Sequence, residues 1–295
     1  MHKSVLLNEV LGIFSPQIGE TYIDATTNGG GHLMAILEKI GVEGKILGID
    51  RDCKLVEGLK EKINKSKIKN VELACDNFAN IERVARSHNL AEISGILFDL
   101  GFSSHHIEES GRGFSFLKDE PLDMRYNPNE SIADASEIIN RWPAEKLEAI
   151  FSEYGEERFA RVIAREIVRN RGQQKIQRTR ELVKIIQSAV PGWYCRRKIH
   201  CATKTFQALR IAVNDELGNI KRGIRSALGI LSPRGKLIVI SFHSLEDRII
   251  KQAFKEWQKN GRIELIVKKV VRPAQNELRA NARARSAKLR AIQKI

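Results

Sequence analysis

The sequence predicts an α/β fold in which a mostly parallel sheet is interrupted by a helical insertion. Three observations predict it. From Thr21 to Leu100, short β-branched runs alternate with helical stretches, the rhythm of a parallel sheet with crossover helices. From Asn129 to Val190 that rhythm stops and helical periodicity alone remains. The strand pattern resumes near the end, in the apolar run Lys236 to Ser241. A chain of 295 residues is longer than one average core fills, which suits a domain carrying a large insertion.

Taken in order, Met1 to Phe14 sets apolar Val5, Leu6, Val10, Leu11 and Phe14 against polar Asn8 and Glu9, a short amphipathic helix and not the unbroken apolar core of a signal peptide. No stretch reaches the roughly 18 apolar residues of a membrane span, so a cytoplasmic protein with no membrane partner is expected. Tyr22 to Ala25, Lys45 to Asp50, Val71 to Cys75 and Gly95 to Asp99 are the predicted strands, and each ends in or runs into an acid: Asp24, Asp50, Asp76 and Asp99. Ligands of open α/β sheets bind beyond the carboxyl ends of the strands, so these carboxylates are expected around one crevice. Ile132 to Arg141, Ala144 to Glu153, Glu156 to Arg171 and Arg180 to Ala189 read as helices. Asp215 to Leu231 is a further helix, Ser232-Pro-Arg-Gly235 a turn and Lys236 to Ser241 a strand. This places a discontinuous sheet domain at 1–106 and 204–295 and a helical insertion at 107–203.

Fifty Lys and Arg against thirty-six Asp and Glu leave a formal charge of +14, which favours a polyanionic partner, nucleic acid first. Hydrophobic residues at 42% exclude the disorder signature. Arg158, Arg161, Arg165 and Arg169 recur at spacings of three and four, one face of a predicted helix that suits RNA phosphates or simply faces solvent. The basic tail from Arg272, with Arg279, Arg283, Arg285, Lys288, Arg290 and Lys294, reads either as a phosphate contact or as a solvated end. Cys53, Cys75, Cys195 and Cys201 show no CxxC pairing, and a reducing compartment argues against disulfides. Cys195, His200 and Cys201 lack a fourth ligand nearby, so no metal is expected.

The first strand leads into Asp24-Ala-Thr-Thr-Asn-Gly-Gly-Gly-His32 and then a helical pattern. Three glycines let a backbone approach a ligand at a helix N-terminus, although such a cluster is also a common turn. Asp50, ending the second strand, can accept hydrogen bonds from two ribose hydroxyls, so the pair suits a nucleoside-containing cofactor on a Rossmann-like sheet. The dinucleotide pattern G-x-G-x-x-G fails, because Gly29 and Gly31 are followed by Met34. A ligand without pyrophosphate, such as S-adenosylmethionine, suits the loop better than NAD. Asp76-Asn77-Phe78 can meet an adenine, though a turn with one core Phe explains it equally well. Asp99 can orient an acceptor amine or contact a methionine amino group.

His2-Lys-Ser-Val-Leu-Leu-Asn-Glu9, Gly30-Gly31-His32, Gly48-Ile-Asp-Arg-Asp52, Asp99-Leu-Gly101, Gly111-Arg-Gly-Phe-Ser-Phe116 and Pro121-Leu-Asp-Met-Arg125 follow one another along the chain. Tyr154 to Ala160, Ala202 to Leu217, Ser241-Phe-His-Ser-Leu-Glu-Asp-Arg248 and Ala284 to Arg290 continue the series. Together they resemble the bacterial ribosomal RNA cytosine-N4 methyltransferases called RsmH or MraW. The resemblance implies a class I methyltransferase sheet domain with an inserted helical substrate-recognition domain. It implies S-adenosylmethionine as cofactor, held by Gly30, Gly31, His32, Asp50, Phe78 and Asp99, with His106 aligned to a Gln contact of the family. Asn28 stands where the family usually has Gly, a position Asn tolerates because it accepts positive φ.

The implied reaction is methyl transfer to N4 of a cytidine in the decoding centre of 16S rRNA, with the assembled small ribosomal subunit as the expected partner. The cytosine amine is a weak nucleophile, so positioning dominates, and the base must leave its stack or already be unpaired. Asp99, His243 and Ser244 are the candidate catalytic residues, with Asp247 beside them and Phe114 and Phe116 as rings on which a base can stack. Two rivals stay open. A DNA amino-methyltransferase usually carries Asp/Asn/Ser-Pro-Pro-Tyr/Phe after the fourth strand, whereas this chain has Asp99-Leu100-Gly101-Phe102, so no DNA partner is expected. A non-catalytic ribosome-assembly factor would keep the pocket only as structure.

Overall fold

The computed structural model describes residues 4–101 and 104–295. His2 and Lys3 of the first motif, and Phe102 and Ser103 after the fourth strand, lie outside the described residues. The chain forms two compact units, one of Met1–Phe102 with Leu217–Ile295, the other of Ser103–Glu216.

In chain order the first unit begins with α1 (Leu7–Phe14), β1 (Thr21–Asp24), α2 (Gly31–Ile40), β2 (Lys45–Asp50), α3 (Cys53–Lys65), β3 (Val71–Cys75), α4 (Ile81–Ser87) and β4 (Ile93–Asp99). The second unit holds α5 (Ser104–Glu108), α6 (Ala135–Arg141), α7 (Ala144–Glu153), α8 (Ala160–Arg171), α9 (Thr179–Ala189), α10 (Gly192–Cys195) and α11 (Thr203–Asn214). After α12 (Glu216–Ile230) come β5 (Leu231–Ser241), α13 (Ser244–Lys259), β6 (Ile263–Leu265), α14 (Gln275–Ala280) and β7 (Lys288–Lys294).

The strands lie in the order β3-β2-β1-β4-β5-β7-β6. β1 to β5 run parallel, and β7 is antiparallel to both neighbours. This is the class I methyltransferase sheet that the resemblance implies. The central strands are near-continuous apolar runs because both their faces are covered. Along β4, Ile96 and Phe98 enter one apolar cluster and Leu97 the other, and along β5 Leu237 and Val239 part in the same way from Ile238 and Ile240. Period-two side chains thus build one core on each face. From β1 the chain proceeds to β2 on one side and β4 on the other, the switch point where a parallel sheet opens its ligand crevice.

Several elements differ from the sequence reading. β5 starts at Leu231, opposite Ile93, and its register jumps to Lys236 opposite Gly95, so the expected turn Ser232–Gly235 bulges out of a longer strand. The end of the basic tail is not a free end, because Lys288–Lys294 is the antiparallel strand beside β5 with Leu289, Ala291 and Ile292 buried. Arg290 Nε donates to Asp247 Oδ1 at 2.7 Å, and Lys288 lies 3.4 Å from the same carboxylate. α8 begins at Ala160 and not at Glu156, because Glu156 has φ 47° and the Glu157 carboxylate accepts from the Phe159 N–H at 2.9 Å. Arg158 therefore precedes the helix, and Arg169 is paired with Glu166, which leaves Arg161 and Arg165 as the exposed basic pair on α8.

The unit boundaries fall at 102/103 and 216/217 and not at 106/107 and 203/204. α11 joins the helical unit because Phe206, Leu209 and Val213 pack with Leu147, Ile150 and Phe151 in its core. Cys53 and Cys75 form a disulfide, against the expectation from compartment. Cys75 ends β3 opposite Asp50, and Cys53 opens the helix three residues later, so the fold sets their Cα atoms 5.0 Å apart, within bonding range. Cys195 and Cys201 are free. Burial and a hydrogen bond with Cys195 push the Cys201 thiol up to about 12, which keeps it neutral.

Candidate active site

The site is built where β1, β2 and β4 end side by side. Asp24 pairs in register with Gly48 of β2 and Leu97 of β4, so its carboxylate sits at the centre of the set. The chain then turns through Thr26 to Gly30. Asn28 has φ 48° and Gly30 φ 82°, left-handed conformations that Asn and Gly adopt at least cost, so the Asn in place of a family Gly keeps the turn. A Cβ on Gly31 would lie 2.0 Å from Ser4 Oγ, so the loop is packed on its N-terminal side as well.

Asp50 organises this turn. Its Oδ2 accepts from the Asn28 N–H at 2.7 Å and its Oδ1 from the Asp52 N–H at 2.9 Å. Asp52 in turn caps α3 by accepting from the Lys54 N–H at 3.1 Å. The Thr27 hydroxyl also lies within reach of Oδ2, at 3.5 Å.

Asp99 is 5% exposed and Asp24 1% exposed. The Asp99 N–H donates to Thr26 Oγ1 at 2.6 Å, tying the end of β4 to the loop after β1. His32 Nε2 lies 2.9 Å from the Val5 carbonyl, which places the ring proton there, and His32 Nδ1 then faces Asp99 Oδ2 at 3.7 Å. Asp24 Oδ2 and Asp99 Oδ1 are buried without a hydrogen-bond partner among the described residues. Burial pushes the Asp99 carboxyl up to about 8, the Asp24 and Glu246 charges add to this, and a backbone hydrogen bond at Gly101 opposes it. Asp24 is pushed up to about 7, first by burial and then by the Asp50 charge, against its hydrogen bond from Thr26. Two partnerless buried carboxylate oxygens side by side are costly as they stand and fit a cationic donor.

Phe78 opens a short 3-10 turn after β3 and is half-buried, edge-to-face with Phe98 at 5.5 Å and close to Gly223 of α12. Asp76 is committed locally, accepting from the Asn77 N–H at 2.7 Å and pairing with Arg83. His106 lies in the helical unit, where it is 3% exposed and its ring centroid is 5.2 Å from Phe114 and 5.0 Å from Tyr126. Phe116 stacks on His200 at 4.8 Å within the same unit.

The β5 end differs from its expected use. His243 is the N-cap of α13, its Nδ1 3.5 Å from the Glu246 N–H, while Glu246 Oε2 accepts from the Phe242 and His243 N–H groups at 2.7 and 3.2 Å. Asp247 turns to β7, as described, and Ser244 is exposed at the first turn of the helix. Asp24 and Glu246 are the charges around Asp99 that were not singled out as site residues. The position of Asp24 on the middle strand of the acid-ended set was the available signal, and a capping box S/H-x-x-E was the signal for Glu246.

The sequence pattern of the MraW methylase family matches residues 1–295. A ribosomal RNA small subunit methyltransferase H from Syntrophotalea carbinolica is 41% identical over 100% of this chain and 98% of its own. A protein of the same name from Heliobacterium modesticaldum is 43% identical over 100% and 98%, and one from Dictyoglomus thermophilum 43% identical over 98% and 95%. With the strand-end carboxylates in place and the match running end to end, the chain belongs to the MraW methylase family.

Proposed function

We propose that this chain transfers the methyl group of S-adenosylmethionine to N4 of a cytidine in the decoding centre of 16S rRNA, in the cytoplasm and within the assembled small ribosomal subunit. The observation that carries the reading is the buried pair Asp24 and Asp99, each keeping an oxygen with no hydrogen-bond partner among the described residues, beside the glycine loop and Asp50. When bound, the cofactor supplies an electrophilic methyl on a sulfonium and an ammonium group. Asp50 receives the ribose hydroxyls, and the Gly30-Gly31 turn admits the nucleoside close to the backbone. Phe78 flanks the base. Asp24 answers the ammonium, and Asp99 accepts from the N4 amine and so aims its lone pair at the methyl carbon. His243 positions the β5 end through its cap, and the exposed Ser244 hydroxyl is a contact for the cytosine ring. The helical unit serves as the substrate-recognition domain, and His106 stays within its aromatic cluster as a cofactor contact that the resemblance alone supports.

Labelled cofactor offered with assembled small subunits, naked rRNA and duplex DNA tests the reading. Transfer to small subunits is expected, and label on DNA alone would overturn it.

Cofactor affinity should also depend on pH in a defined direction. An ammonium favours the ionised form of Asp24, with His32, Asp50, Asp99 and Glu246 the other charged or titratable groups at this strand end. Because burial pushes the Asp24 carboxyl up to about 7, affinity is expected to rise from pH 6 towards pH 8 and then level off. Calorimetry at pH 7 in two buffers of different ionisation enthalpy reads the proton released; identical heats would contradict the assignment.

A further inference from the structure

Trp193 presents a surface that the methyl-transfer site does not use. It sits on α10, in the helical unit, and is 49% exposed, which is unusual for so large an apolar ring beside charged neighbours. Its indole is held edge-on by Phe159 at 6.1 Å and 64°, and by Tyr194 at 5.8 Å and 86°. Tyr194 is itself fixed, because its hydroxyl hydrogen-bonds both oxygens of buried Glu157 at 2.9 and 2.8 Å. The ring is thus oriented from below by rigid groups while half its surface stays in water.

Guanidinium groups flank this aromatic cluster. The Arg158 guanidinium lies over the Phe159 and Trp193 rings at 5.7 and 6.0 Å, and Arg197 over Tyr194 at 5.3 Å. Arg196 is exposed on the same short helix end, and Arg161 is exposed on the first turn of α8. Arg165 follows one turn on, about 6 Å further along the helix axis. An aromatic ring with cations on its rim and a basic track leading away is the chemistry of single-stranded nucleic acid binding, where bases stack and guanidinium groups meet phosphates. A protein partner would also use an exposed Trp, but the guanidinium groups over these rings favour phosphates.

We propose that Trp193 is a stacking platform for an unpaired base of the RNA substrate, with Arg158 closing over it and Arg161 and Arg165 holding the adjoining phosphates. The inference rests on the RNA-methylating reading above and adds to it a second anchoring point, away from the target cytidine. An unpaired base gripped here would fix the register of the strand that delivers the reacting one.

The test compares a short single-stranded oligouridylate with an abasic oligomer of the same phosphate count, using the full chain. The parent should prefer the oligouridylate. Trp193→Ala is expected to weaken oligouridylate binding by about 5- to 150-fold, leaving abasic binding and the salt slope unchanged, and Trp193→Phe should restore most of the loss. Replacing Arg161 and Arg165 together with Gln should instead flatten the salt dependence by about 1.4 log units per log salt, for both oligomers. Cofactor affinity and melting temperature report whether the variants remain folded. A folded Trp193→Ala protein that binds both oligomers like the parent overturns the platform, as does an equal loss for both, which would mark Trp193 as structural or as a protein contact. If the parent labels no rRNA at all, the failure belongs to the functional reading and not to the platform.

Discussion

Asp99→Asn is expected to cost activity and raise stability together. On the activity side, Asn keeps the shape but loses the charged acceptor that orients the amine, so single-turnover methylation should fall on the order of 100-fold, and cofactor affinity much less. Equal losses in rate and affinity would instead assign Asp99 to the methionine amino group. On the stability side, the carboxyl is raised from the ordinary value of about 3.9 to about 8 by burial and by Asp24. A group raised in this way stabilises the fold below its unfolded value, and that contribution is lost as pH climbs through the folded value. The parent without cofactor should therefore weaken between about pH 4 and pH 8, and Asp99→Asn should remove part of that decline and relieve Asp24 as well. Chemical denaturation at pH 5 and pH 8 reads this directly. A variant no more stable than the parent at pH 8 would mean that the carboxylate is satisfied in the free protein, contrary to its partnerless Oδ1.

Asp50→Ala should have the largest effect on cofactor binding. Removing charge-assisted bonds to the ribose is worth roughly 1.5 to 3 kcal/mol, or about 10- to 150-fold in affinity. The same change strips the acceptors from the Asn28 and Asp52 N–H groups, so the glycine turn loses its anchor and stability falls by about 1 to 3 kcal/mol for each buried donor left alone. Asp50→Asn separates the two effects, since its amide oxygen still accepts one of these N–H groups. Calorimetry showing parental affinity in a folded Asp50→Ala protein would contradict the ribose assignment.

How far the site was legible in the sequence follows from which interactions are local. Strand ends at Asp24, Asp50 and Asp99 could be read because a buried parallel strand is a short apolar run, and a polar residue marks its exit. Asn28 could be read because its tolerance of positive φ is intrinsic. β7 was hidden by its own charges. Lys288 and Arg290 alternate with buried Leu289 and Ala291, and Arg290 is neutralised by Asp247, a partner forty-three positions away that no local pattern reveals. The same limit explains His243. Its place in a conspicuous motif suggested chemistry, and only the fold shows its ring closing the first turn of α13 with Glu246. It also explains Cys53 and Cys75, whose proximity is created by β2 lying beside β3. Arg158 misled for a smaller reason, since helical spacing continued backwards past the true start of α8.

The central claim is chemical: one methyl group, on N4, of one cytidine. Small subunits from cells lacking this protein, incubated with it and labelled cofactor, can be digested to nucleosides and the product identified by mass spectrometry. Label in N4-methylcytidine from a single decoding-centre fragment of 16S rRNA, appearing on the order of 100-fold more slowly with Asp99→Asn, is the predicted result. Label in any other nucleoside, or labelling at the parental rate by the Asp99→Asn protein, would contradict the account.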